Sequence, residues 1–280
     1  MELGLGCSLL GELSPREVRS LVDTALEHGA RTFDTANVYG SGRSESLLGE
    51  ALAGVDGVRV ATKFGYGPEP VGANEGGSPE VARRALEASL ERLRRPRIEN
   101  WFLHGPDPRT PLATTLQAMG KAREEGLVGS IGVCNARPEW LACGHSEIGG
   151  WNIEALQVEV NVVNRQALRW VHEVARGARV EIWGTGVLRR GTLAMPEAGL
   201  LPRHWVDPML ECSRRLGVSP AMVSIAWAVH VGRLSCLLVG TQRPRHLAEA
   251  ARAISLARDP LAIEVFRDVL GLSDSNSRSA

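Results

Sequence analysis

The sequence predicts an α/β protein built as one closed (β/α)8 barrel, the TIM-barrel architecture, and three observations carry that prediction. Eight short apolar runs rich in β-branched residues alternate with longer stretches of helical period, which is the pattern of βα units around a parallel sheet. The length of 280 residues suits the roughly 250 that eight such units occupy. No Gly/Ser-rich linker divides the chain, so residues 1–272 read as a single domain, with the polar stretch "SDSNSRSA" at 273–280 as a frayed tail.

The strand candidates in order are "LGLGC" (3–7), "TFDTA" (32–36), "VRVATKF" (58–64), "NWFLHG" (100–105), "VGSIGVCN" (128–135), "ALQVEVNVV" (155–163), "RVEIWGT" (179–185) and "SCLLVGT" (235–241). Helices start between them on recognisable signals. In "SPREVRSLVDTALEHG", Ser14 is the N-cap, Pro15 occupies the first helical position, Glu17 sits three residues after the cap, and Gly29 stops the helix. The Ser-Pro opening recurs at Ser78 and Ser219, and "TPLATTLQAMGKAREEG" and "RPRHLAEAARAI" follow the same logic. Long loops are expected after strands 3, 4 and 7. In this architecture the C-terminal ends of the strands and the loops beyond them carry the chemistry.

Composition narrows the function classes. Balanced charge, 32 basic against 32 acidic side chains, argues against a nucleic-acid partner. No apolar run approaches the roughly 18 residues of a membrane span, and the N-terminus lacks the pattern of a signal peptide. Five scattered cysteines without CxxC spacing read as free thiols in a reducing cytoplasm, not as a disulfide frame or a metal site. No exposed apolar stripe predicts an oligomer. Lys63 and Lys121 are the only lysines beside an excess of arginine, and Tyr39 and Tyr66 the only tyrosines; GC-rich codon usage accounts for the arginine excess, so each lysine invites a reason.

Sorted against the strands, four ionisable side chains fall at one rim. Asp34 lies near the end of strand 2 with Tyr39 in the loop beyond, Lys63 ends strand 3, and His104 ends strand 4. Singly, Asp34 reads as a turn former and His104 as structural. Lys63 in an apolar strand is costly to bury unless paired, and Asp34 is the neighbour able to pair with it. Together they suggest proton transfer: an ammonium favours phenolate, a carboxylate keeps the ammonium charged, and a histidine beside the phenol orients a carbonyl oxygen. Such a site protonates a developing oxyanion, which suits carbonyl reduction with hydride from a cofactor.

"FDTANVYGSGRSESLLGEAL", "VATKFG" and "FLHGPD" resemble the aldo-keto reductase superfamily, as a bacterial member with short terminal extensions. The resemblance runs through the chain in order and implies NAD(P)H-dependent reduction of an aldehyde or ketone without a metal. Tyr39 is then the general acid, tuned by Lys63 and Asp34, and His104 positions the carbonyl. "IGVCNA" resembles the strand-5 cofactor motif, with Asn135 on the nicotinamide carboxamide and Cys134 where serine is usual. "LQVEVN" resembles the strand-6 motif, with Gln157 as a second carboxamide ligand and Val160 where tyrosine is common. "EIWGTGVLRRG" resembles the strand-7 segment, with Trp183 stacking on the nicotinamide and Gly184 beside it.

"LLVGTQRPRHLAEA" resembles the phosphate-binding segment, with Gly240 and Thr241 offering amides and Gln242, Arg243 and Arg245 a basic environment. His246 and Ala250 stand where arginine and asparagine commonly hold a 2′-phosphate, so NADPH is preferred with NADH as the alternative. The chain starts almost on strand 1, without the hairpin that closes the barrel floor in many members, and His204 and Trp205 are candidate pocket walls. The alternative within this fold is a cofactor-binding regulatory subunit with little turnover. Outside it stands an isomerase or aldolase using Lys63 as a Schiff-base amine.

Overall fold

The computed structural model describes residues 1–66, 76–105, 107–135, 153–165 and 180–271. Eight parallel strands form a closed barrel in sequence order: β1 Glu2–Gly6, β2 Thr32–Asp34, β3 Arg59–Phe64, β4 Ile98–Leu103, β5 Val128–Cys134, β6 Ala155–Glu159, β7 Glu181–Thr185 and β8 Cys236–Gly240. β8 pairs back onto β1, Gly6 against Gly240, so no edge is left open. The TIM-barrel expectation is therefore met, and among the shifted strand boundaries two bear on the site. β4 stops at Leu103, which puts His104 on the first residue of its loop. β6 stops at Glu159, because the Asn161 side chain accepts from the amides of Val163 and Asn164 at 3.1 and 2.8 Å and turns the valine run out of the sheet.

The outer layer contains α1 Pro15–Glu27, α2 Arg43–Ala51, α3 Pro79–Leu93, α4 Leu112–Glu124, α5 Arg203–Leu216, α6 Pro220–Gly232, α7 Arg245–Leu256 and α8 Pro260–Leu270. Ser14 and Glu17 form a complete capping box at α1, and Ser78 and Ser219 cap α3 and α6 ahead of a proline at the first position. Two helices extend beyond the sequence-based assignment. α5 starts at Arg203, inside the expected strand-7 loop, and buries Val206, Met209 and Cys212 on one face. α8 starts where Asp259 accepts from the amides of Leu261 and Ala262. Segments 136–152 and 166–179, where further helices are expected, lie outside the described residues. So do 67–75, Pro106 and the tail 272–280; Cys143 falls within 136–152.

The core has two shells. Between sheet and helices lies the larger one, including Leu5, Val18, Phe33, Leu48, Trp101, Leu156 and Trp227. Inside the barrel Ala61, Phe102, Cys134, Ala155, Trp183, Cys236 and Leu238 form the smaller one, as expected of a filled barrel. At its floor Arg59 bonds Glu2 at 2.8 Å and Glu181 at 3.2 Å, and its guanidinium lies 5.1 Å from the Trp183 ring centroid. Those ion pairs tie β1, β3 and β7 together at the end opposite the strand C-termini. No helix among the described residues is long and apolar enough to cross a membrane.

Candidate active site

The rim at the strand C-termini gathers the four residues singled out in the sequence. Asp34 is the last residue of β2 and pairs with Ala61, so Lys63, two residues on, projects on the same inward face, just above it. The Lys63 ammonium donates to Asp34 Oδ2 at 2.6 Å and to the Thr35 carbonyl at 2.7 Å. Tyr39 opens a 3-10 turn over Tyr39–Gly42 in which Gly40 and Gly42 take positive φ. That turn brings the phenol ring to 5.0 Å from the ammonium. The His104 ring stands edge-on to Tyr39 with centroids 5.7 Å apart, and Tyr66 tilts over the same imidazole at 4.9 Å.

Burial governs the charges here. Asp34 is 5% and Lys63 2% exposed. Burial lowers Lys63, but Asp34 and Tyr39 outweigh it and raise the lysine above its ordinary value. Burial pushes the Asp34 carboxyl up, against the pull of Lys63 and Gln157. Burial also raises Tyr39; Lys63 draws it down, while Asp34 and Cys134 add to the rise. The expected fall toward phenolate is thus outweighed, and the resting phenol is protonated at neutral pH. His104 falls to about 3, from burial first and Lys63 second, so its imidazole is neutral. Its Nδ1 is buried without a hydrogen-bond partner among the described residues.

Comparison with known proteins identifies the family. The family model described as "Aldo/keto reductase family" matches residues 2–270. The chain belongs to the aldo/keto reductase family. Among its relatives is a probable aldo-keto reductase 1 of Glycine max, 27% identical, aligned over 96% of this chain and 85% of its own length. The glycerol dehydrogenase structure from Gluconobacter oxydans superposes with a TM-score of 0.81 at 23% identity, covering 99% of this chain and 95% of its own. An aldo/keto reductase from Klebsiella pneumoniae, solved with NADP and acetate, gives 0.76 at 20% identity, covering 96% and 91%. Those two likenesses show the shared barrel.

In this member of the family the remaining expected site residues divide into three groups. Cys134 and Gln157 pair across β5 and β6, both facing inward, with the thiol 3.7 Å from Gln157 Oε1. Asn135 follows Cys134 in a left-handed conformation, exposed, and accepts from the Glu159 amide. At the far side, Thr241 Oγ1 contacts His246 Nδ1 at 2.9 Å and accepts from the Arg243 amide, while Gln242 turns away to Glu12 and the Leu9 carbonyl. Gly240 is exposed beside Gly6. A Cβ added to Gly6 would press on the Gly240 backbone at 3.2 Å, so this pair presents bare main chain to the rim.

The third group holds Trp183, Gly184, His204 and Trp205. Trp183 pairs with Gln157 and Cys236 on the inward face of β7. It is wholly buried, edge-on to Phe102 at 5.3 Å, and bonded to Glu181 at 2.8 Å. Its ring packs in the barrel interior, with the Arg59 guanidinium 5.1 Å from its centroid. Gly184 points the other way, and a Cβ there would strike the Leu234 side chain at 2.3 Å. Its lack of a side chain serves packing against that leucine. Trp205, expected as a pocket wall, instead lies on α5 with its ring 5.3 Å from the Arg165 guanidinium, and His204 leans on it.

Sequence reasoning also missed supports. Ser44 Oγ donates to the Cys7 carbonyl at 2.7 Å and meets Thr35 Oγ1 at 2.9 Å, clamping the Tyr39 turn to β1. Glu45, wholly buried, accepts from Thr62 at 2.6 Å and from Arg92 at 2.7 Å, joining α2 to the residue before Lys63. A glutamate on the apolar side of α2, within "RSES", was the signal available for that link.

Proposed function

We propose that this chain is an NAD(P)H-dependent carbonyl reductase that converts an aldehyde or ketone to an alcohol, with Tyr39 as proton donor. The observation that carries the proposal is the buried Asp34–Lys63 ion pair beneath the Tyr39 ring, with neutral His104 at its edge. The bare Gly6–Gly240 backbone, with Thr241, Arg243 and the start of α7 beside it, suits the phosphates of a dinucleotide. Arg243 and Arg245 give that end its positive charge, Gln242 and His246 stand beside them as polar groups, and the NADP in the Klebsiella relative supports NADPH as the preferred form. Asn135, Gln157 and Cys134 would hold the carboxamide end. When bound, the nicotinamide supplies the hydride that reaches the carbonyl carbon.

The chain's own residues handle the proton. As negative charge grows on the substrate oxygen, the Tyr39 hydroxyl passes its proton to it. Lys63 then stabilises the phenolate left behind, and Asp34 keeps that ammonium charged and aimed. Neutral His104 has an N–H to offer the same oxygen, fixing the carbonyl without adding charge. Solvent protonates Tyr39 for the next cycle. The free, buried Cys7, Cys134, Cys212 and Cys236 support a cytoplasmic location.

The test is consumption of NADPH by the purified chain against a panel of aldehydes and ketones, followed under single- and multiple-turnover conditions. Repeated turnover with alcohol formed in proportion supports the proposal. A single burst without further turnover contradicts it and points to a regulatory subunit.

A further inference from the structure

Gln157 does more in this structure than line the rim. It stands on β6, while Asp34 ends β2, four strands away in a ring of eight and therefore on the opposite wall of the barrel. The glutamine reaches across the mouth and its Nε2 donates to Asp34 Oδ1. A carboxylate only accepts, so the nitrogen must be the atom turned toward Asp34, and the oxygen is left facing the Cys134 thiol at 3.7 Å. Asp34 Oδ2 is already taken by Lys63. Both oxygens of the buried carboxylate are thereby fixed from opposite sides, Lys63 from the neighbouring strand and Gln157 from across the barrel.

We propose that Gln157 is a positioning residue for the proton donor, locking the plane of Asp34 so that Lys63 is held beneath Tyr39. This rests on the carbonyl-reductase reading above. The physical reason is geometric. With one oxygen released, the carboxylate turns about its terminal torsion, and the ammonium bonded to it moves with it. A buried acceptor stripped of its donor is also costly, and the site relieves that by rearranging. The amide's second N–H and its oxygen stay available to a carboxamide, so one side chain touches both the nicotinamide end and the acid pair.

The test is Gln157→Met, of similar volume without a donor, with Gln157→Leu as a second variant. Lys63 and Lys121 are the only lysines, so labelled lysine gives two ammonium signals in the NMR spectrum of the cofactor-free protein. The expected result is a moved or broadened Lys63 signal beside an unchanged Lys121 signal. At saturating NADPH, kcat falls about tenfold, the scale of one lost charge-assisted hydrogen bond. In an Asp34→Asn background the same substitution lowers kcat by less than about twofold, since its route of action is gone.

An unmoved Lys63 signal in both variants overturns the proposal. So does an equal fall of kcat in both backgrounds, or a change confined to the NADPH dissociation constant. If the wild-type chain turns over no carbonyl at all, the functional reading fails, while the lysine signal still decides whether Gln157 positions the pair.

Discussion

Replacing Lys63 by methionine tests how the acid pair is held, because the consequences for stability and turnover have different pH dependences. Lys63 is 2% exposed and its Nζ lies 2.6 Å from Asp34 Oδ2. Removing it leaves a buried carboxylate whose only other side-chain donor is Gln157 among the described residues. Breaking a buried pair from one side costs about 3–5 kcal/mol. Asp34 relieves that cost by taking a proton, so its pKa in the folded variant lies above the unfolded value of about 3.9. The folded variant then binds more protons than the unfolded chain, and its stability is present below that value and lost as pH rises through the elevated one. The slope is up to about 1.4 kcal/mol per pH unit.

Urea unfolding of both proteins at about pH 5 and about pH 8 checks this, with the larger difference expected at the higher pH. Turnover also falls, since the phenolate loses its ammonium, by at least about a hundredfold. Equal destabilisation at both pH values, or undiminished turnover, would refute the electrostatic account of the pair.

Three further outcomes follow from other parts of the site. His104 is held near 3 by burial and Lys63, below its unfolded value, so the stability it contributes is complete above about 6.5 and lost as pH falls toward 3. His104→Gln should flatten that part of the stability–pH curve measured by chemical unfolding. Glu45→Ala removes a wholly buried carboxylate from Thr62 and Arg92 and should cost about 3 kcal/mol by urea titration. His246→Arg places a permanent guanidinium beside Thr241. It should tighten NADPH about tenfold with NADH unchanged, measured by quenching of tryptophan fluorescence.

The barrel was legible because each strand run carries its own apolar pattern and each Ser-Pro start its own cap. Asp34, Tyr39, Lys63 and His104 were legible because strand ends locate a common rim, and a lysine in an apolar strand demands a partner. The depth of Trp183 was not legible, for a reason of the same kind. Side-chain alternation marks it as inward-facing, but depth along the barrel axis depends on register with β6 and β8, which the local sequence does not contain. The contact from Gln157 to Asp34 was invisible for a stronger reason. It joins residues on opposite walls, 123 positions apart, and exists only once the barrel is closed. α8 escaped because its signal is a single Asp-Pro start after "SLAR", with no expected ninth strand to frame it.

The measurement that bears most directly on Tyr39 as proton donor is steady-state NADPH consumption by Tyr39→Phe beside the wild-type chain, with cofactor affinity measured on both. The ring and its edge-on contact with His104 survive the substitution, and only the hydroxyl is lost. The account predicts unchanged NADPH binding with turnover lowered by about a hundredfold or more. A Tyr39→Phe protein that reduces the same carbonyl at the wild-type rate would contradict it.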